Sequence, residues 1–272
     1  MHKTEMRNEN SKGFDKLSTL DMVKVMNREN YNAVKAVEDA SEKIAAAIDA
    51  ISERMIKGGR LIYVGAGTSG RLGVIDAAEC PPTFGVSRDK VMGIIAGGQA
   101  TMVKASEGEE DVEENGVRDI SQAEVNECDA VVGLSAAGNA AYVVGALKEA
   151  KARGAVTVAV VCNQDCRLAN TADIVVVADT GAEVITGSTR LKAGTAQKLI
   201  LNMFSSCAMV RLGKVYDNFM INVKPVNIKL RKRCIWIITE ITGVDSETAE
   251  KALDTANGDI ATAIKLIEGE NK

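Results

Sequence analysis

Apolar positions recur at two different periods along the chain, and the change of period marks its organisation. Ser18-Thr19-Leu20-Asp21 has the form of a capping box, with Ser18 as N-cap and Asp21 at the third helical position in place of Glu or Gln. Val34, Val37, Ile44, Ile48, Ile51 and Met55 then return at helical spacing and predict a longer second helix, stopped by Gly58-Gly59. From Arg60 onward, short β-branched runs alternate with helical stretches. Leu61–Val64, Val91–Ala96, Ala130–Leu134, Val156–Val161 and Ile174–Val177 read as buried strands. Ser69–Glu79, an acidic stretch after the second strand, Asn139–Arg153 and about Thr195–Leu212 read as helices. Such alternation implies right-handed crossovers and a mostly parallel sheet covered on both faces, an α/β/α sandwich.

After Gly213 the pattern changes. Lys224–Arg233 is basic around Pro225, and no further strand is expected. Ile235–Ile241, Asp245–Leu253 and Asp259–Ile267 predict a small three-helix bundle. The expected organisation is therefore N-terminal helices over residues 1–58 that pack on the core, an α/β domain over 59–222 and a helical bundle over 223–272.

Composition narrows the function. Aromatics are 3% of 272 residues, so aliphatic side chains fill the core. A formal net charge of −4 argues against non-specific nucleic-acid binding, which needs a basic face. No apolar run of about 18 residues occurs, so no membrane span is expected. The polar N-terminus lacks the apolar core of a signal peptide. Six scattered cysteines suit reduced cytosolic thiols better than a disulfide framework. Cys162 and Cys166 flank Asn163-Gln164-Asp165, but zinc needs two further ligands and the single histidine is His2, so no metal site is expected.

Three segments carry candidate chemistry. Gly65–Gly70 follows a strand and opens a helix, so its glycines admit a ligand close to the backbone while the helix start faces an anion. Thr68 and Ser69 add hydroxyls. The segment has neither the Gly-Lys-Ser/Thr of a Walker loop nor a full G-x-G-x-x-G, and a plain tight turn has the same look. Asp76–Thr83 holds two of the three prolines, Pro81 and Pro82, which are expected to end the helix near Glu79. A carboxyl at a helix C-terminus is favoured in its protonated form, which suits Glu79 to a general acid. Glu107, Glu109, Glu110, Asp111, Glu113 and Glu114 make an acidic run that is ordinarily a solvated helix face. Crowded carboxylates also raise one another's pKa, which suits a general base, and the spacing does not say which one acts.

GAGTSGRLGVIDAAECPPTFG at Gly65–Gly85 resembles the N-acetylmuramic acid 6-phosphate etherases, sugar-isomerase-domain proteins. The resemblance continues through IIAGG at Ile94–Gly98, EGEED at Glu107–Asp111, EVITGSTRLKAGTAQKLILNM at Glu183–Met203 and GKVYDNFM at Gly213–Met220. It extends through the C-terminal bundle, which is similar to a ubiquitin-associated-type fold. It implies a cytoplasmic homodimer, without cofactor or metal, that cleaves the lactyl ether of a sugar-phosphate substrate. The products are N-acetylglucosamine 6-phosphate and D-lactate, formed by elimination from the open-chain aldehyde and then hydration. Glu79 is implied as the acid and Glu110 as the base. Substrate contacts are implied at Gly67, Thr68, Ser69, Gly70, Ser135, Gly138, Ser188 and Lys192, with Lys192 reaching the opposite subunit's substrate.

One segment departs from the family. Where the family reads AASGRTPY, this chain has Ser135-Ala136-Ala137-Gly138-Asn139-Ala140-Ala141-Tyr142. Backbone donors and Ser135 stay, while several side-chain contacts to a sugar phosphate are lost. Two other readings therefore stand beside the etherase: a non-catalytic sugar-phosphate-binding regulatory protein, and an aldose–ketose isomerase of the same fold.

Overall fold

The computed structural model describes residues 3–104, 108–225 and 227–270. The chain divides into two compact units, Met1–Ala78 with Asp89–Ala208, and Glu79–Arg88 with Met209–Lys272. The N-terminal helices fall within the sheet unit, which ends at residue 208, while Glu79–Arg88 joins the C-terminal unit.

In the first unit, five parallel strands are ordered β2-β1-β3-β4-β5. They are β1 Leu61–Gly65, β2 Val91–Ile95, β3 Ala130–Leu134, β4 Val156–Val161 and β5 Ile174–Val177. Gly65 pairs with both Ile95 and Leu134, so three strand ends lie level along one edge. Helices α1 Thr19–Asp39, α2 Ser41–Ile56, α3 beginning at Gly67, α4 Glu113–Gln122, α5 Ala141–Ala152 and α6 beginning at Lys192 surround the sheet.

Alternation within each strand decides which layer packs where. Ile62, Val64, Val131, Ala159 and Val161 face Tyr142, Val143, Leu147 and Ile120, so α5 and α4 cover one side. Each Val, Leu or Ile among them contributes about 1.5–3 kcal/mol over leaving it exposed. The opposite side takes α2, α3 and α6. There the Tyr63 hydroxyl donates to Asp76 of α3 at 2.9 Å and lies 3.5 Å from the Leu201 carbonyl oxygen of α6. The sandwich expected from the sequence is the observed fold.

Two helix limits differ from expectation. The N-terminal periodicity spans a break at Ala40, so Val34 and Val37 belong to α1, which starts at the expected Ser18 cap. Ser41 Oγ donates to the Glu38 carbonyl oxygen at 2.6 Å across the break, a local bond that needs neither Gly nor Pro. Helix α3 runs Gly67–Phe84, through Pro81 and Pro82. Proline removes a hydrogen bond but its φ is already helical, so two in succession weaken the last turns without ending them.

The second unit holds the last turns of α3, a hairpin of β6 Val215–Tyr216 and β7 Phe219–Met220, and α7 Ile228–Thr242, α8 Ser246–Thr255 and α9 Ile260–Glu270. The hairpin was not expected, because two-residue strands carry no period. Cys234, Ile237, Ile238, Ala249, Leu253, Ile260, Ala263 and Ile267 close the expected three-helix core. Gly85 has φ +64°, and a Cβ there would stand 2.4 Å from the Asn222 carbonyl oxygen, so the segment after α3 needs glycine. Among the described residues no helix is long and apolar enough to cross a membrane.

Helix α4 lies on α5 so closely that a Cβ on Gly116 would stand 1.9 Å from the Tyr142 carbonyl oxygen. Gly116→Ala gains about 1 kcal/mol of helix propensity but forces these helices apart, at about 1–3 kcal/mol or more. Urea denaturation should show a net loss of about 1 kcal/mol or more; a stabilised variant would contradict the packing.

Candidate active site

In a parallel sheet of order 2-1-3-4-5, chain crossovers diverge on either side of the β1–β3 pair, and ligands bind beyond the strand ends there. Two turns meet that point. The first, Gly65–Gly70, seats the start of α3 on the end of β1. A Cβ on Gly65 would stand 2.7 Å from the Gly70 nitrogen, and one on Gly70 2.5 Å from the Gly65 carbonyl oxygen. Gly67, at φ +52°, completes the reversal. The first N–H groups of a helix have no acceptor within it and aim at an anion. Gly70 does not belong to that set, because its N–H donates to the Ala66 carbonyl oxygen at 3.1 Å. What the structure shows of it is close packing against Gly65 and Ile95.

Ser69 is buried, and its Oγ donates to Oε1 of Gln197 on α6 at 2.9 Å. Thr68 is half-buried beside Gly194, whose missing side chain lets α6 approach. Gln197 was not singled out from the sequence: it lies within a quoted motif, but a glutamine on an apolar helix carries no mark of its partner.

The second turn follows β3. Gly138, at φ +77°, lies against Cys166, where a Cβ would stand 2.3 Å from Sγ. Ser135 Oγ accepts the Gly138 N–H at 3.1 Å, and Asn139 Oδ1 accepts the Arg167 N–H at 3.0 Å. Both side chains are engaged in shaping the turn, and α5 begins at Ala141 with no side-chain cap.

The acidic run does not behave as one cluster. Glu107 lies outside the described residues. Glu110 is exposed on a 3₁₀ turn, Glu109–Asp111, between β2 and α4. Glu113 bonds Lys148 at 2.6 Å and Arg167 at 2.8 Å, and these cations hold its carboxyl below the usual range, opposite to the mutual raising expected. The loop after β2 is tied to α3, since Arg71 donates to the carbonyl oxygens of Met102 at 3.1 Å and Thr101 at 2.6 Å. Glu79, in the second unit, is exposed on α3. Because α3 continues to Phe84, Glu79 stands outside its last turn, where the field of a helix end has fallen off. The expected helix-end argument for its acidity therefore does not apply.

Lys192 is 2% exposed, and its Nζ donates to Glu29 Oε2 at 2.6 Å. The same carboxylate accepts Asn8 Nδ2 at 2.7 Å and Asn10 Nδ2 at 2.8 Å. The fully buried Glu183 carboxylate accepts the Lys192 and Ala193 N–H groups, both at 3.0 Å, and so caps α6. The Lys192 ammonium is thus paired with Glu29 within its own chain. Ser188 is half-buried in the turn before α6, its N–H donating to the Ile185 carbonyl oxygen at 2.9 Å.

Residues 43–151 match the glucokinase regulatory protein N-terminal SIS domain, and residues 100–206 match the SIS domain. The phosphoheptose isomerase of Neisseria gonorrhoeae superposes with a TM-score of 0.55 at 17% identity, over 70% of this chain and 98% of its own. That of Francisella tularensis gives 0.53 at 15%, over 71% and 98%. At such identities these likenesses show the fold alone. The N-acetylmuramic acid 6-phosphate etherase of Clostridium beijerinckii is 51% identical over 97% of this chain and 87% of its own length. That of Lactobacillus gasseri is 48% identical over 97% and 89%. The chain belongs to the N-acetylmuramic acid 6-phosphate etherase family.

Within this etherase-family chain, Cys166 packs against Gly138 and the Cys162 N–H donates to the Ala136 carbonyl oxygen at 2.9 Å, both at the second turn. All six are free. Burial pushes the Cys162 thiol up to about 12, so it stays neutral. Among the described residues no three His, Cys, Asp or Glu side chains converge as a metal site requires; His2 lies outside them. A cavity of about 670 Å³ beyond β4 and β5 is lined by Lys3, Cys162, Asn163, Gln164, Asp165, Val177 and Asp179, none of which the sequence had marked as a ligand.

Burial pushes the Glu29 carboxyl up, but hydrogen bonds from Lys192, Asn10 and Asn8 outweigh it and hold the group below its ordinary range. Its contribution to stability is thus present above its unfolded pKa and lost as pH falls through the depressed folded value. Lys192→Met leaves that carboxylate buried and unpaired, which costs about 3–5 kcal/mol near neutral pH. Without the ammonium the Glu29 carboxyl moves up relative to wild type, so the cost should shrink as pH falls. Urea denaturation at pH 7.5 and pH 5 should show the gap to wild type narrowing at pH 5; an unchanged gap would contradict the pairing.

Proposed function

We propose that this protein is an N-acetylmuramic acid 6-phosphate etherase, converting its substrate to N-acetylglucosamine 6-phosphate and D-lactate. Whole-length identity of about half to etherases carries this reading. The chain also keeps the family's carboxylates, Glu79 and Glu110. A sugar-phosphate sensor has no need of either group, and the whole-length match disfavours an isomerase.

The chemistry follows from the substrate. In the open-chain form the C1 aldehyde acidifies the C2 proton. Glu110 takes that proton, the C–H electron pair becomes the C2–C3 double bond, and the C3–O bond breaks. Glu79 gives its proton to the departing lactate oxygen. Proton balance then fixes the second half: Glu79, now ionised, takes a proton from the water that adds at C3, and Glu110 returns one to C2. The 6-phosphate is assigned to Thr68, Ser69 and the first N–H groups of α3, an anion site by its dipole and free donors.

Purified protein given N-acetylmuramic acid 6-phosphate should release D-lactate; no release would refute the etherase reading. Glu110→Gln should lower turnover by about 10²–10⁴-fold and abolish exchange of the C2 proton with solvent deuterium. Glu79→Gln should lose lactate release to a similar degree yet keep C2 exchange, since proton removal precedes departure of the leaving group. Equal loss of exchange in both variants would overturn this division of roles.

We also assign the protein to the cytoplasm, in keeping with its free thiols, and to a homodimer whose interface completes the active sites. On α1, Leu20, Val23, Tyr31 and Val34 are 63%, 58%, 69% and 55% exposed along one stripe, an apolar face suited to a second copy. Sedimentation should show a dimer that Val23→Lys with Tyr31→Lys dissociates, with loss of activity. A fully active monomer would contradict the proposal.

A further inference from the structure

Ser69 carries one hydroxyl proton, and in the structure that proton goes to Gln197 Oε1, 2.9 Å away. Gln197 is 1% exposed, and the Nε2 of the same amide is buried with no hydrogen-bond partner among the described residues. Buried polar groups are nearly always paired, so an orphaned donor beside an open helix start points to a second arrangement of the same groups.

Charge at that start defines it. Ser69 lies in the first turn of an 18-residue helix, where N–H groups aim at an anion. A hydroxyl that donates to Gln197 turns lone pairs, and no proton, toward such an anion. The two ends of a side-chain amide have nearly the same shape, so a half-turn exchanges donor and acceptor in one place. After that half-turn Nε2 donates to Ser69 Oγ, and the hydroxyl proton is free for a phosphate oxygen.

We propose that Gln197 is a positioning residue for phosphate binding: by reversing its amide it changes Ser69 from a donor to Gln197 into a donor to the substrate's 6-phosphate. The proposal rests on the reading that the start of α3 holds the phosphate.

The test is a double-mutant cycle on the full-length enzyme, read as KM, kcat and the inhibition constant of inorganic phosphate. Ser69→Ala alone should raise KM and weaken phosphate inhibition, each by about tenfold, the effect of one lost hydrogen bond to a charged group. Gln197→Met, of similar length and without amide atoms, should raise both by a similar factor while kcat moves much less. In the Ser69→Ala background, Gln197→Met should add less than about twofold, because its effect passes through the hydroxyl. Gln197→Glu keeps an acceptor for Ser69 but cannot donate while ionised, so it should weaken phosphate inhibition at least as much; it provides the same readout if Gln197→Met does not fold. A full additional tenfold in the Ser69→Ala background would overturn the role of Gln197 and leave the phosphate site standing. Unchanged KM and phosphate inhibition in Ser69→Ala would remove the phosphate site itself, and this inference with it.

Discussion

The close approach of Gly65 and Gly70 fixes the start of α3 against the end of β1, and the candidate site takes its form from that contact. β1 is held by ladders on both sides, so its last residue has little freedom. With no side chain at either glycine, the helix begins directly on the strand end. Ser69 is thereby turned inward to Gln197, while Gly67 is exposed and Thr68 half-buried. A methyl group at position 70 would meet both the Gly65 carbonyl and Ile95 of β2.

Two helix starts lie near one another at this edge, and they are satisfied in opposite ways. The start of α6 is closed by Glu183, a buried carboxylate that takes its first two N–H groups, while Lys192 offsets Glu29 beside it. Among the described residues no side-chain carboxylate accepts the first N–H groups of α3. The proposed phosphate site at α3 is in keeping with that difference. The buried carboxylates and ammonium also tie α1 and the residues around Asn8 and Asn10 to this region. Hydrophobic burial alone would not select that register, because it does not distinguish one helix rotation from its neighbours as sharply as a buried charge does.

The second unit is stabilised by its own aliphatic core across α7, α8 and α9, with Trp236 set edge-on against Phe219 at a centroid distance of 5.7 Å. Its order does not depend on a long strand, and the small β6–β7 hairpin only turns the chain.

Periodicity in the sequence was enough to determine the strands, their parallel arrangement and the bundle, because a side chain's burial follows from its spacing along a regular element. The glycine-rich turn was legible for a similar reason: a strand, three glycines and a helix leave few other conformations. The motifs at Glu79 and Glu110 were likewise readable as a family pattern. Side-chain partnership was not. The continuation of α3 through Pro81 and Pro82, the engagement of Lys192 with Glu29, the lowering of Glu113 by Lys148 and Arg167, and the bond between Ser69 and Gln197 all join or depend on groups whose surroundings local spacing does not encode. Sequence spacing sets which face of a strand or helix is apolar. Only the packed tertiary structure decides which polar groups are shut away together, since hydrogen bonds and ion pairs act over a few ångströms between residues that can be more than a hundred positions apart.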